Sequence, residues 1–310
     1  MRAFRLLDAP LRYVERCLWG NRQNRPTVSY AQNGEDVLLN RALKGQSDGF
    51  YIDVGANDPV AGSVTKLFYD RGFRGINIEP GGVFDKLARA RPRDINLRLA
   101  LSDREGERTF YEFPECDGLS TLSAQVRAGQ NRRCVERTAA VATLADVCEK
   151  YVRGAVDFLK IDVEGHEREV IAGANWRRWR PRIVLVESPT TAEGDGPHRE
   201  WEPRLLGADY LYGGSDGINR YYVRREDERL LACFRQPLNV LDDYVAYHHV
   251  HRYQNLGPLA ISAAQCLQKV IDFAGFWYPR QLTHKGGPRA SLRLRKNPQH
   301  GAFNQLRRAD

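Results

Sequence analysis

The middle of the 310-residue chain alternates short apolar runs with stretches of helical periodicity. Apolar runs predict β-strands at 50–54, 75–78, 96–101, 156–161 and 182–186. The stretches between them, for instance 63–71, 83–89 and 166–174, have the spacing of helices that cover a sheet. This alternation is typical of a parallel sheet with helices on both faces, so we predict an α/β fold.

Two segments interrupt the alternation. Residues 109–141 begin with an aromatic patch and continue through a stretch rich in Ser, Thr and Gly at 117–122, which predicts an inserted hairpin with a loop over the site. Residues 210–223 contain two aromatic runs joined by a glycine-rich connection, which predicts an antiparallel hairpin. The sequence therefore predicts an α/β sheet accompanied by two hairpins.

Positive charge is concentrated at the carboxyl end of the chain. The net charge is +8, and residues 251–310 contain ten lysines and arginines against two acidic residues. The preceding 250 residues contain 37 charges of each sign, so the body lacks the basic channel expected of a nucleic-acid-binding protein. No apolar run of about 18 residues predicts a membrane span, and the amino-terminal segment lacks the apolar core of a signal peptide. We expect a cytoplasmic protein.

The segment 49–58 has the pattern of a cofactor-binding turn. An apolar strand leads into Asp53, and Gly55 follows at the turn, with Ala56 and Asn57 behind it. A dinucleotide site needs Gly-x-Gly-x-x-Gly so that the backbone can approach a pyrophosphate, and here the second glycine is missing. The carboxylate of Asp53 would also repel a pyrophosphate. S-adenosylmethionine carries an ammonium and a sulfonium group, so this turn favours S-adenosylmethionine over NAD.

Polar side chains follow the other predicted strands. Glu79, 24 positions after the glycine of the turn, can accept the hydroxyls of an adenosine ribose, in NAD as well as in S-adenosylmethionine. Ser102 and Asp103 end the third strand, where such folds contact the adenine. Asp162 and Glu187 end the fourth and fifth strands. Because ligands of open α/β sheets bind beyond the carboxyl ends of the strands, we predict an acidic rim that receives a cationic ligand.

The strings YIDVGANDP, GINIEP, FLKIDVEGHE and VLVES, in this order and spacing, resemble the FkbM family of methyltransferases. Segments at 30–36, 216–222 and 237–243 are similar to the opening and closing parts of that family's domain. The resemblance covers residues 28–245. Residues 1–27 are then a basic amino-terminal extension, and residues 246–310 are a basic and partly disordered carboxyl-terminal extension.

The resemblance implies a Rossmann-like, seven-stranded class I methyltransferase sheet that uses S-adenosyl-L-methionine to methylate a hydroxyl oxygen. The expected acceptor is a small molecule or a glycan, with a sugar hydroxyl of a cell-surface glycan favoured. The basic tail is interpreted as a solvated appendage that can also associate with glycan-synthesis enzymes or with an acidic surface.

Methyl transfer to a hydroxyl requires a group that removes its proton. Asp162 is the first candidate, either as the general base or as the residue that orients the acceptor. His166 is the second, since its ordinary pKa lies near neutrality. A divalent metal such as Mg²⁺, held by Asp162 and Glu187, is a third way to lower the pKa of the acceptor.

Acceptor recognition is expected from the aromatic patch of the insert, from Ser120 and Thr121 in its loop, and from Asp216, Asn219 and Arg220 in the second hairpin. Aromatic faces pack on the apolar faces of sugar rings, and short polar side chains bond to the hydroxyls. The same aromatic residues could equally be core residues of the hairpin.

Three other functions are each compatible with part of the sequence. A nicotinamide-dependent oxidoreductase would use the same sheet, but the missing glycine and Asp53 disfavour it. A non-catalytic glycan-binding protein would have no need of acidic strand ends. A nucleic-acid methyltransferase would account for the basic tail but not for the neutral body.

Overall fold

Strands and helices alternate in the computed structural model, which describes residues 26–189 and 196–254, with side chains up to residue 251. The first 25 residues and those beyond 254, which contain most of the two predicted basic extensions, lie outside the described residues. Among the described residues, no helix has the length and apolar character needed to cross a bilayer. The strands are β1 (Thr27–Ser29), β2 (Phe50–Val54), β3 (Arg74–Ile78), β4 (Ile95–Leu97), β5 (Ala100–Ser102), β6 (Gly106–Glu112), β7 (Val135–Thr143), β8 (Phe158–Ile161), β9 (Ile183–Glu187), β10 (Tyr210–Ser215), β11 (Asn219–Arg224) and β12 (Tyr244–Ala246). The helices are α1 (Glu35–Ala42), α2 (Lys66–Arg71), α3 (Phe84–Ala90), α4 (Ala124–Ala128), α5 (Leu144–Tyr151), α6 (Glu167–Ala172), α7 (His198–Gly207) and α8 (Tyr247–Gln254).

The central sheet has seven strands in the spatial order β4, β3, β2, β8, β9, β11, β10. The first five of these are parallel to one another, and β11 runs antiparallel to both β9 and β10. The predicted α/β class and the antiparallel hairpin at 210–223 are therefore present. The strand order reverses between β2 and β8, and open sheets of this kind bind ligands at such a switch point.

Both faces of the central sheet are buried, because side chains alternate between two hydrophobic cores. On β2, Ile52 packs in the core beneath α5 and α6, whereas Tyr51 packs in the core beneath α1 and α2. A strand buried on both faces is a continuous apolar run, which is why the prediction at 50–54 matches β2. At its carboxyl end the same alternation puts Asp53 on the Tyr51 face, where its partner in register on β8 is Lys160.

The single strand predicted at 96–101 is wrong, because the chain changes sheets in the middle of that run. β4 pairs with β3 at the edge of the central sheet, whereas β5 pairs with β7 of the inserted hairpin. Arg98 lies between the two strands and forms an ion pair with Asp85, its guanidinium 4.6 Å from the centre of the Phe84 ring. The insert itself is a hairpin, as expected, with β6 antiparallel to β7.

The two ends of the described chain meet in a small parallel sheet of β1 and β12, where Thr27 is the partner of Tyr244. Arg41 of α1 fixes the segment that leads into β12. Its Nε and Nη2 donate to the two carboxylate oxygens of Asp242, both at 2.5 Å. Its Nη1 and Nη2 also donate to the carbonyl oxygens of Cys233, Gln236 and Pro237 at 3.1, 2.6 and 2.9 Å.

Replacing Arg41 with Met should lower the free energy of unfolding by about 2–3 kcal/mol, because the Asp242 carboxylate and the carbonyl groups lose charged donors. Arg41→Lys should recover only part of this loss, since one ammonium cannot reproduce the planar set of donors. Urea unfolding measures the stability, and hydrogen exchange should become faster at 237–243. Arg225→Met, which removes an exposed ion pair with Asp209, is the matched control and should leave stability almost unchanged.

Candidate active site

A cleft that is partly open to solvent lies at the carboxyl ends of β2, β3, β8 and β9. It occupies the switch point of the central sheet, and the loop of the inserted hairpin covers part of it. Nine of the residues predicted from the sequence line this cleft: Gly55, Ala56, Asn57, Glu79, Ser120, Thr121, Asp162, His166 and Glu187. The predicted side chains from four of the strand ends or their loops thus come together in one place.

The turn after β2 accepts only glycine at position 55. Gly55 has a φ of +76°, and a Cβ atom placed on it would lie 1.8 Å from the carbonyl oxygen of Asp162. The N–H groups of Gly55 and Ala56 donate to the carbonyl oxygen of Ile78 at 3.0 and 3.1 Å. The glycine therefore lets the ends of β2, β3 and β8 approach closely enough to form the floor of the cleft.

The carboxylate of Glu79 is held by backbone groups on both sides. Its Oε1 accepts from the N–H of Gly81 at 2.7 Å, and its Oε2 accepts from the N–H of Asn57 at 3.0 Å. The side chain is buried, and this burial raises its pKa. Because each carboxylate oxygen can accept a second hydrogen bond, Glu79 presents two fixed acceptors to the cleft.

Asp53 does not line the cleft. It lies beneath the floor, 1% exposed, and accepts a hydrogen bond from the hydroxyl of Thr65 at 2.8 Å. The ammonium group of Lys160 lies 3.4 Å from Asp53, 3.2 Å from Asp162 and 2.7 Å from the carbonyl oxygen of Gly55. Although burial disfavours the charged ammonium, the carboxylates of Asp162 and Asp53 outweigh it and raise the pKa of Lys160.

Three carboxylates meet above this floor. Oxygen atoms of Asp162, Glu164 and Glu187 lie within 4.8 Å of one another. Burial, together with the charges of Asp162 and Glu167, raises the pKa of Glu164 to about 8. Burial and the neighbouring Asp162 and Glu164 raise the pKa of Glu187 well above its usual range. The proximity of the three acids therefore disfavours ionisation of the whole cluster, and a cationic ligand would relieve this repulsion.

Glu164 was not identified from the sequence. It lies in the loop between β8 and α6, two residues after the strand-end acid, and its φ of +53° is a left-handed conformation that is uncommon for glutamate. The hydroxyl of Thr121 donates to its carbonyl oxygen at 2.7 Å and thereby helps to fix the loop. The string FLKIDVEGHE contains this acid, but periodicity alone gives no reason to place it beside Glu187.

His166 lines the cleft and directly precedes α6, but its ring nitrogens face protein groups. Its Nε2 lies 3.0 Å from the hydroxyl oxygen of Ser102, and its Nδ1 lies 3.5 Å from a carboxylate oxygen of Glu169. Burial lowers the pKa of His166. Neither Ser102 nor Asp103 lines the cleft: Ser102 is buried behind His166, and Asp103 forms ion pairs with Arg104 and Arg108. Ala100 and Leu101 of β5 line the cleft instead.

The loop of the inserted hairpin is fixed by hydrogen bonds to its own hairpin and to Glu164. Thr121 pairs with Tyr111 of β6 through reciprocal backbone hydrogen bonds of 2.9 and 3.0 Å. The hydroxyl of Ser120 accepts from the N–H of Phe113 at 3.1 Å and can still donate to a ligand. In the aromatic patch, Phe110 and Phe113 are both buried, and only Phe110 also lines the cleft.

The predicted acceptor residues of the second hairpin lie outside this cleft. Asp216 lines a separate groove between β10 and the segment at 234–238, and Asn219 is buried and donates to Glu35 at 2.9 Å. Arg220 donates to Glu202 at 2.7 Å and lies over the ring of Tyr212 at 4.2 Å. None of the three residues therefore lines the cleft, although Asn219 on β11 is the partner in register of Glu187 on β9.

Replacing Glu187 with Gln should stabilise the fold. A carboxyl group whose pKa is raised on folding contributes stability at low pH that is lost as the pH rises, so the gain from Gln should grow between about pH 6 and about pH 8.5. We expect a gain of about 1 kcal/mol or more at the upper pH, or about 2–4 °C in Tm.

Glu202→Gln is the control of opposite sign. Although burial opposes it, hydrogen bonds from Tyr222 and Arg220 lower the pKa of Glu202, so its removal should destabilise the protein at about pH 8.5. Thermal unfolding at both pH values measures the two effects. A Tm for Glu187→Gln that is lower than that of the unsubstituted protein at both pH values would contradict the like-charge interpretation of the cluster.

Comparison with known proteins assigns the chain to a family. Residues 53–212, more than half of the chain, match the family described as the methyltransferase FkbM domain. No curated protein matches the chain. Among solved structures, the chain is similar to one described as a putative O-methyltransferase from Klebsiella pneumoniae. The sequence identity is 12%, and the match covers 71% of this chain and 90% of that one. The TM-score of 0.30 is too low to support an inference. The family match spans the strand ends β2, β3, β8 and β9, and the chain belongs to the FkbM methyltransferase family.

Proposed function

We propose that the protein is an S-adenosyl-L-methionine-dependent O-methyltransferase and that the hydroxyl it methylates belongs to a sugar of a glycan or glycoconjugate. The observation that carries the proposal is the convergence of the Gly55 turn, Glu79, Asp162 and Glu187 on one cleft. Family membership supports methyl transfer, and the chemistry of the cleft supports this cofactor.

The adenosine end of S-adenosylmethionine fits the half of the cleft near β3. Glu79 would accept the two ribose hydroxyls, because backbone N–H groups fix its carboxylate and each oxygen has acceptor capacity left. Ala100, Leu101 and Phe110 provide apolar surface for the adenine. These residues take the adenine role that the sequence had assigned to Ser102 and Asp103.

The methionyl end fits the half of the cleft near β8 and β9. The cofactor supplies an electrophilic methyl group on a positively charged sulfur. Asp162, Glu164 and Glu187 form a patch of acidic groups whose mutual repulsion a bound cation would relieve. Lys160 has no donor left for the ligand, since its three N–H groups already face Gly55, Asp53 and Asp162.

We assign Asp162 as the general base that removes the proton of the acceptor hydroxyl. Its side chain is partly exposed in the cleft, at 32%, and the Lys160 ion pair fixes its position. His166 is less suited to the role, because its nitrogens face Ser102 and Glu169 and burial lowers its pKa. Burial and the neighbouring acids raise the pKa values of Glu164 and Glu187, whereas Asp162 is the acid of the cluster whose position the Lys160 ion pair fixes.

The sugar acceptor would contact the open side of the cleft. Gln32, Asn57, Asp117 and Ser120 line it and offer the short polar groups that bind vicinal hydroxyls. The hydroxyl of Thr121 is engaged by Glu164 and Ser123, so it is assigned to shaping the loop. Asp216, Asn219 and Arg220 are assigned to the support of the second hairpin.

A divalent metal such as Mg²⁺ is the alternative occupant of the carboxylate cluster. Asp162, Glu164 and Glu187 offer the oxygen ligands that Mg²⁺ prefers, and Glu164 adds a third ligand to the two predicted from the sequence. With a metal, Asp162 would act as a ligand instead of a base, so chelation separates the two roles.

S-adenosylhomocysteine should raise the Tm of the protein, because at a concentration of 100 Kd it adds about 2.7 kcal/mol to the free energy of unfolding. NADH should leave the Tm unchanged. Ala61 is exposed and lines the cleft, so Ala61→Trp should remove the shift by filling the space without disturbing the core. Ala128→Trp, on the exposed face of α4, is the matched control and should keep it. Stabilisation by NADH alone would overturn the cofactor assignment.

Asp162→Asn should lower kcat by about 10²–10⁴-fold, because the variant has no group that can remove the acceptor proton. His166→Asn should lose much less. Transfer of a radiolabelled methyl group to sugars, nucleotide sugars and lipid-linked glycans measures both variants. Exhaustive EDTA treatment of the unsubstituted enzyme should leave activity unchanged, and its loss after chelation would favour the metal role over the base.

A further inference from the structure

Acidic side chains dominate the charge of the cleft. Six carboxylates are among its lining residues: Asp58, Glu79, Asp117, Asp162, Glu164 and Glu187. Among the described residues, Lys160 is the one lysine or arginine in the lining, and its three N–H groups already have acceptors within the protein. Burial lowers the pKa of the His166 imidazole and so favours its neutral form. The described walls of the cleft therefore offer no free cation to an anionic ligand.

Two cations beside the lining residues are paired with acids of the protein. The ammonium group of Lys86 forms an ion pair with Asp58 of the lining. Arg108, whose charge contributes to the lowered pKa of His166, donates to Asp103 at 3.0 Å. Each of these charges is therefore compensated within the protein, and neither is left over for a ligand.

Backbone N–H groups of the loops around the cleft are also occupied. In many α/β proteins the N–H groups that follow a strand bind a phosphate, but here carboxylates of the protein take that place. The carboxylate of Glu79 accepts from the turns after β2 and β3, at 3.0 and 2.7 Å. That of Asp58 accepts from the N–H groups two and three residues later, at 2.8 and 2.9 Å. That of Glu167 accepts from two N–H groups of the loop after β8, both at 3.1 Å.

Neutral groups supply the side-chain donors on the open side of the cleft. The amides of Gln32 and Asn57 and the hydroxyl of Ser120 line it. S-adenosylmethionine, the cofactor of the proposed function, brings a carboxylate of its own, which would compete for these groups. A sugar hydroxyl can use the same donors without adding charge, whereas a further anion would lie close to the six carboxylates.

We propose that the sugar unit methylated in this cleft carries no anionic group, so that neutral hexosides are acceptors whereas uronic acids and sugar phosphates are excluded. This inference rests on the function proposed above and narrows its acceptor. Charge, rather than shape, carries the discrimination, because like charges brought together at a binding site disfavour the wrong partner. The restriction applies to the sugar unit inside the cleft and not to more distant parts of a glycan.

Matched glycosides separate charge from shape. Methyl glycosides of glucose, galactose and mannose are each compared with their uronate and their uronamide, both as acceptors of a radiolabelled methyl group and as competitors of the best hexoside. The uronate and the uronamide both lack the hydroxyl at carbon 6 and have nearly the same shape, so a difference between them reports charge. The uronate should compete about tenfold or more weakly than the uronamide, and added salt should narrow the difference.

A variant of the cleft wall tests whether the protein supplies the repulsion. Asp117 is exposed and lines the open side, and Asp117→Lys should reduce the preference for the uronamide over the uronate by about threefold or more. Glu115→Lys, which makes the same change of charge at an exposed acid outside the lining, is the matched control and should retain the preference. Because the preference is a ratio measured within each variant, it does not depend on the amount of folded or active protein.

Competition by the uronate that equals or exceeds that of the uronamide would overturn the inference, while transfer to the hexosides would still support the proposed function. Equal effects of Asp117→Lys and Glu115→Lys on the preference would overturn it as well, because the discrimination would then not come from the cleft wall. Transfer to none of the glycosides would count against the sugar acceptor of the proposed function, and the inference would fail with it.

Discussion

Lys160 holds its ammonium group between the carboxylates of Asp53 and Asp162, and the floor of the cleft depends on this arrangement. A buried carboxylate such as Asp53 is strongly unfavourable unless it is paired and hydrogen-bonded. Here Lys160 on the neighbouring strand faces it in register, and its third donor reaches the carbonyl oxygen of Gly55. One side chain thereby links the ends of β2 and β8 and compensates two acids.

This pairing divides the acidic strand ends into two groups with different roles. Asp53 and Asp162 form ion pairs with Lys160, whereas Glu164 and Glu187 lie outside these pairs and their pKa values are raised by burial and by neighbouring acids. The unfavourable proximity of the second group is a local cost to the stability of the fold. A cation bound there would relieve the repulsion, so the proximity of the acids that weakens the free protein would strengthen such a complex.

The sequence predicted the elements whose pattern is local and missed those that depend on pairing between distant segments. The ends of β2 and the placement of Glu79, Asp162 and Glu187 followed from apolar runs that end in acids. The break at Arg98 did not, because an apolar run looks the same when its second half joins another sheet. Lys160 was visible in the string FLKIDVEGHE, but its role required the parallel register with β2.

The segments that carry the family resemblance fall into two spatial sets with distinct physical roles. The strings around Asp53, Glu79, Asp162 and Glu187 form or support the cleft. The segments 30–36, 216–222 and 237–243 instead stabilise the fold through hydrogen bonds. In the second set, Asp36 accepts from the hydroxyl of Ser29 at 2.6 Å and from the N–H of Tyr30, and Asn219 bonds to Glu35 and Asp216.

These closing segments explain why Asp216, Asn219 and Arg220 looked like acceptor residues from the sequence alone. Short polar side chains in a glycine-containing hairpin have the same composition whether they bind a sugar or each other. What distinguishes the two uses is whether donor and acceptor capacity is left over, and the carboxylate of Asp216 is already shared by Tyr221, Asn219 and backbone N–H groups. Among residues 30–36 only Gln32 lines the cleft, whereas the inserted hairpin and its loop contribute Phe110, Asp117, Gly118, Ser120, Thr121 and Leu122.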